Sequence, residues 1–141
     1  MPFRTLLLTL LIAGCGSASD PSTGDPTFPA DPLQTLTSDS GKLRVEVRTA
    51  PQPPTRGGQT VQLVVTDATT GAPQTGLALE VVPWMPAMGH GGSVVPSVSE
   101  NPPGTYVLTN VELFMPGTWQ LRTSISRDAA LDHVVPSFQI P

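Results

Sequence analysis

At 141 residues the chain is sized for about one domain, and a net charge of −4 without any basic cluster gives nucleic-acid binding no electrostatic support. Charged residues make up 13% of the chain and proline accounts for 17 positions. Low charge with frequent proline and threonine suits an all-β domain with Pro-rich connections better than a helical one.

The chain opens with Arg4 and the apolar run Leu6-Leu7-Leu8-Thr9-Leu10-Leu11-Ile12-Ala13, which is too short to span a bilayer. It ends in Ile12-Ala13-Gly14-Cys15, and Cys15 is the only cysteine. Small residues ahead of a cysteine at this distance from the start resemble the lipobox of bacterial lipoproteins. That resemblance implies a signal peptide over 1–14, diacylation of the Cys15 thiol, and acylation of the new amino terminus. Each buried methylene contributes about 0.8 kcal/mol, and more than one acyl chain anchors stably. The expected mature protein is therefore tethered to a membrane of the cell envelope without spanning it, facing the periplasm or the exterior. Gly16 after Cys15, in place of aspartate, points toward the outer membrane. With Cys15 consumed, the domain has no thiol for a disulfide, a zinc site or a nucleophile.

Residues 15–40 read as a lipidated start and a disordered Pro/Ser/Thr-rich linker, because their composition buries too little apolar surface to offset ordering. Phe28, Leu33 and Leu36 near its end are the residues expected to dock on the domain. From Lys42 the apolar period becomes two. Leu43, Val45 and Val47 alternate with Arg44, Glu46 and Arg48. The same alternation predicts strands over 42–49, 59–67, 76–83, 105–111, 118–125 and 133–140, with a short edge strand over 93–98 where Pro96 is tolerated. Trp119, Leu121, Thr123 and Ile125 take the inward register, and Val134, Pro136, Phe138 and Ile140 take one face of the last strand. No segment has a helical period. Seven short strands separated by turns predict an immunoglobulin-like antiparallel two-sheet sandwich over 41–141.

One connection stands apart. Pro83-Trp84-Met85-Pro86-Ala87-Met88-Gly89-His90-Gly91-Gly92 carries two of the four methionines and one of the two histidines. Its prolines and glycines specify a shaped loop. Thioether sulfur is a soft ligand that favours Cu(I), and imidazole suits several transition metals. Methionine also fills irregular gaps in cores, so packing is the competing reading of the same residues. In a sandwich whose strands reverse direction in turn, the loop at 84–92 and the turn at Met115-Pro116-Gly117 emerge at one pole. That topology brings Met115 to Met85, Met88 and His90. His133 falls at the opposite pole, on a solvent face. Trp119 is expected in the core; Trp84, on the outward register, is expected to shield a metal or to cover a sheet edge.

Taken together, Met85-Pro86-Ala87-Met88-Gly89-His90-Gly91, Pro103-Gly104-Thr105-Tyr106 and Met115-Pro116-Gly117-Thr118-Trp119-Gln120-Leu121 resemble the YtkA-like domain family, and FixH proteins are similar in the same region. The resemblance covers about residues 40–140. It implies a small extracytoplasmic β-sandwich, lipid- or helix-anchored, with a role in copper handling or cytochrome oxidase assembly. It carries Met85, Met88, His90 and Met115 over as motif positions and implies no catalytic residue.

Two functions follow from these readings. The first is a lipid-anchored Cu(I) binder that uses Met85, Met88, Met115 and His90 to store, buffer or pass copper outside the cytoplasm, with a copper-accepting envelope protein as the partner where copper is delivered. Methionine binds without losing a proton, so only His90 makes affinity depend on pH. Zinc is disfavoured, since its sites use several thiolate, imidazole or carboxylate ligands. The second is a metal-free interaction module in which the loop is a structural corner. An enzyme is not expected, because Asp67, Glu80, Glu100, Glu112 and Asp132 are scattered over different loops and faces and no phosphate-binding glycine loop occurs.

Overall fold

The two-residue alternation that begins after Lys42 becomes a ladder of antiparallel strands in the computed structural model, which describes residues 24–141. Cys15, the signal segment and the first part of the expected linker lie outside the described residues. The strands are β1 (Gln34–Thr37), β2 (Leu43–Ala50), β3 (Gly57–Asp67), β4 (Ala78–Met85), β5 (His90–Gly91), β6 (Ser97–Glu100), β7 (Thr105–Leu113), β8 (Gly117–Arg127), β9 (Ala130–Val134) and β10 (Ser137–Ile140). There is no helix among the described residues. One sheet runs β1–β2–β3–β7–β6; the other runs β10–β8–β4–β5, with β9 also paired to β8. Leaving aside β1 and β5 and counting β9 and β10 as one strand, this is the strand order of a constant-type immunoglobulin sandwich, in which the first, second, fifth and fourth strands face the third, sixth and seventh.

The inward registers meet as the sequence reading expects. Val45, Val47, Val61, Leu63, Val65, Leu108, Leu121 and Ile125 are buried between the sheets, with Trp119, Phe138 and Ile140. Each such side chain contributes roughly 1.5–3 kcal/mol when fully buried. In β7 the alternation breaks: Leu108 and Val111 are both buried, while Thr109 and Asn110 are exposed. Asn110 has a positive φ of 59°, and the β3–β7 register shifts between Gln59 and Val61. A bulge of this kind re-aims the following residues and keeps Leu113 in the core.

Three features depart from the sequence reading. The expected linker ends early, because Gln34–Thr37 forms β1 and pairs with Arg44–Val47 of β2. Leu33 and Leu36 pack against the core, and the Leu33 N–H donates to the Val47 carbonyl at 2.7 Å. The Arg48 guanidinium donates to the Ala30 carbonyl at 2.9 Å, and Phe28 is half-buried, so these residues wrap the first sheet. The edge strand expected at 93–98 forms at Ser97–Glu100 instead. Pro96 is buried just ahead of it, and residues 92–96 serve as the crossing from one sheet to the other. The last strand is split: β9 and β10 both pair with β8, around Val135-Pro136, where proline cannot donate.

The pole holding the β3–β4, β6–β7 and β8–β9 connections is fastened by side chains. The Tyr106 hydroxyl donates to the Gln74 carbonyl at 2.8 Å and accepts from the Leu77 N–H at 3.0 Å. The Glu100 carboxylate accepts from the Gly104 N–H at 2.9 Å and the Gly76 N–H at 3.0 Å.

Candidate metal centre

Met85 is the last residue of β4, and the chain turns back at once. The Met88 and Gly89 N–H groups both donate to the Met85 carbonyl at 3.1 Å. Gly89 takes a φ of +67°, a left-handed conformation that glycine adopts without steric cost. His90 and Gly91 then pair with Met85 and Trp84. The motif is thus a hairpin whose four-residue turn, 86–89, is closed by Met85 opposite His90. Directly opposed residues share a face of the ladder, with Cβ atoms about 5 Å apart. The imidazole of His90 therefore leaves the hairpin on the side that Met85 takes.

The two side chains end in different surroundings. Met85 is 4% exposed and belongs to the core. His90 is exposed, with Nδ1 3.2 Å from the Gly91 carbonyl oxygen. Met88, at the turn, is 52% exposed. Met115, in the connection from β7 to β8, is half-buried and packs against the core. Its carbonyl accepts from the Trp119 indole N–H at 2.8 Å, which ties the turn to the buried ring.

The two connections meet through Met85. A Cβ built on Gly117 would lie 2.7 Å from the Met85 Cε atom, so the thioether methyl rests on the Gly117 backbone, two residues past Met115. Gly117 has a φ of +123°, open to glycine and strained for a side chain. The pole thus brings Met85 against the turn that carries Met115 and opposite His90, with Met88 at the rim.

Sequence reasoning treated Gly117 as a turn residue and missed its role as the seat of the Met85 methyl. The signal lay in the pairing of the two motifs, which a single chain does not display. It also missed that Phe114, 59% exposed, and Val95, 80% exposed, join Met88 as large apolar side chains at the surface of connections on this end. Trp84 does not shield the site: it lies on the outer face of β4, where the Arg122 guanidinium stacks 4.3 Å from its ring centroid. His133 sits at the other pole and is exposed, 4.0 Å from Asp39.

Among the described residues no three histidine, cysteine, aspartate or glutamate side chains gather as a ligand group. A metal held at this pole would therefore depend on thioethers, a donor set that fits Cu(I) and not zinc. Two carboxylates elsewhere are occupied: Asp67 accepts from the Thr69 and Thr70 N–H groups of its own turn, and Asp132 from the N–H and hydroxyl of Ser40 in the β1–β2 connection.

The family model described as YtkA-like matches residues 37–124, more than half of the chain, and the match includes Met85, Met88, His90 and Met115. No curated protein and no solved structure matches the chain significantly.

Proposed function

The chain belongs to the YtkA-like family, and from that premise we propose that it binds Cu(I) at the pole formed by the β4–β5 hairpin and the β7–β8 turn. The ligands in this reading are the thioethers of Met85, Met88 and Met115 and the imidazole of His90. The observation that carries it is the seating of the Met85 methyl on Gly117 while Met85 pairs with His90, which links both loops through one thioether. Met88 and His90 lie at the surface, and Met85 and Met115 lie deeper at the same pole. Three thioethers and one imidazole would hold a soft ion such as Cu(I) and would have little affinity for hard cations.

The domain is held at a membrane of the cell envelope through Cys15 and serves copper handling or delivery. Met88, Phe114 and Val95 are exposed apolar side chains on connections at this end, and in this reading they would meet an accepting envelope protein. Catalysis is no part of this reading, since Asp67 and Glu100 are engaged in turns and Asp132 in a join to Ser40. Competition titration of Cu(I) against a chelator tests the proposal: one tightly held ion per chain supports it, and none overturns it.

One observation favours a second reading. Met85 is a core residue, as expected if the hairpin is a structural corner that plugs the open end of the sandwich. On that reading the same apolar side chains meet a partner without metal, and the titration shows no uptake.

A further inference from the structure

Resting on the reading that Met88 is a ligand, we infer that Met88 is also a modification site: it is the thioether of this pole that peroxides convert to the sulfoxide, and its oxidation closes the metal site. The three sulfurs differ in accessibility. Met88 is 52% exposed on a turn that lies outside the core strands, whereas Met85 is 4% exposed with its methyl against Gly117. Met115 is half-buried, on a turn fixed by the Trp119 indole. Oxidation of thioethers follows exposure, and an oxygen placed on a buried sulfur would sit among apolar side chains without a hydrogen-bond partner. At Met88, half-exposed on its turn, water can solvate the added oxygen.

The step balances without further reactants. The Met88 sulfur takes one oxygen atom from a hydroperoxide, ROOH; the O–O bond breaks, an S–O bond forms, ROOH is reduced to ROH and sulfur is oxidised by two electrons. The sulfoxide presents a hard oxygen where a soft sulfur stood, which is mismatched to Cu(I). Methionine sulfoxide reductases reverse such a change with thiols as the reductant: two thiols become a disulfide, the S–O bond breaks and the oxygen leaves as water, so the loss of affinity is reversible. The fold is untouched, because Met88 is half-exposed on a turn outside the core strands.

The test uses the full chain carrying Cys15→Ser, free of metal, treated with hydrogen peroxide and followed by peptide mass spectrometry and Cu(I) competition titration. Met88 sulfoxide is expected to form at least about tenfold faster than Met85 sulfoxide, with Cu(I) affinity falling about tenfold or more in step with it and the thermal transition unchanged. The Met88→Leu chain is expected to start at reduced affinity and to lose no more on the same treatment. Oxidation of Met85 as fast as Met88, or a peroxide-dependent loss in Met88→Leu equal to that of the parent chain, would overturn the inference. A Met88→Leu chain that binds Cu(I) as tightly as the parent removes Met88 from the ligand set and overturns the switch, while the order of oxidation stands on its own. Absence of Cu(I) binding before any treatment sinks the metal reading, and the switch with it.

Discussion

The terminal methyl of Met85 occupies the space in which a side chain at Gly117 would begin, 2.7 Å from an ideal Cβ there. The glycine is required twice over, by this approach and by its φ of +123°. Gly117→Ala should therefore destabilise the fold by about 1–3 kcal/mol, through backbone strain and overpacking together. Gly58, in β3 of the other sheet, is the control: a Cβ there meets nothing within 4 Å, and Gly58→Ala should be close to neutral. Thermal melting of both variants measures the difference. Equal transition temperatures would show that Met85 does not depend on that seat.

The methionines of the hairpin should separate by energy. Met85→Ala removes a core side chain and leaves a cavity, which costs about 2–5 kcal/mol. Met88→Ala, at a half-exposed turn position, should stay within about 0.5 kcal/mol. Urea unfolding of the two variants checks the order, and a Met88 cost equal to that of Met85 would contradict the placement of both.

Much of this was legible in the chain itself, for reasons particular residues make plain. Strict alternation in Leu43–Val47 and Trp119–Ile125 fixes which side chains meet in the core, and strand reversal alone places Met115 at the pole of Met85. Alternation says nothing about Gln34–Thr37, whose strand is made by pairing with β2 and not by its own composition. It misplaced the edge strand by a few residues, because Val94 and Val95 read as strand while Pro96 marks the crossing between sheets. Register correctly put Trp84 on the outer face, but not its stacking with Arg122, which depends on the neighbouring strand. The depth of Met85 and the exposure of Met88 follow from where β4 ends, and a loop motif does not show that.

Acid should loosen the join between the β1–β2 turn and β9. Burial pushes the Asp132 carboxyl up, but bonds from the Ser38 and Ser40 hydroxyls and from the Ser40 and His133 N–H groups outweigh it and bring its pKa down to about 2 from 3.8. A carboxyl depressed in the folded state stabilises the fold fully above its unfolded value, and that contribution is lost as pH falls through the folded value. Stability should accordingly decline between about pH 4 and pH 2, and Asp132→Asn should remove that part of the slope. Denaturant midpoints across this window, compared between the two proteins, decide it. Parallel curves would mean that Asp132 does not carry the effect.

Attachment to the membrane should depend on one thiol. Cys15→Ser should leave the protein soluble or unprocessed, because thioether-linked acylation requires the cysteine. Fractionation of cells expressing the variant checks this. Processed protein still held in the membrane would show that another element anchors it.

The central claim is that thioethers from both connections share one Cu(I), and Met115→Leu tests it most directly. Leucine keeps size and apolarity, so a packing role for Met115 costs less than about 1.5 kcal/mol of stability and leaves metal affinity alone. The measurement is a chelator-competition titration of Cu(I) on residues 24–141, a span that keeps β1 and the segment wrapping the first sheet. The account predicts one ion per parent domain and an affinity about tenfold or more weaker in Met115→Leu, with the thermal transition nearly unchanged. Equal Cu(I) affinity in the two proteins, or no uptake by either, would contradict it.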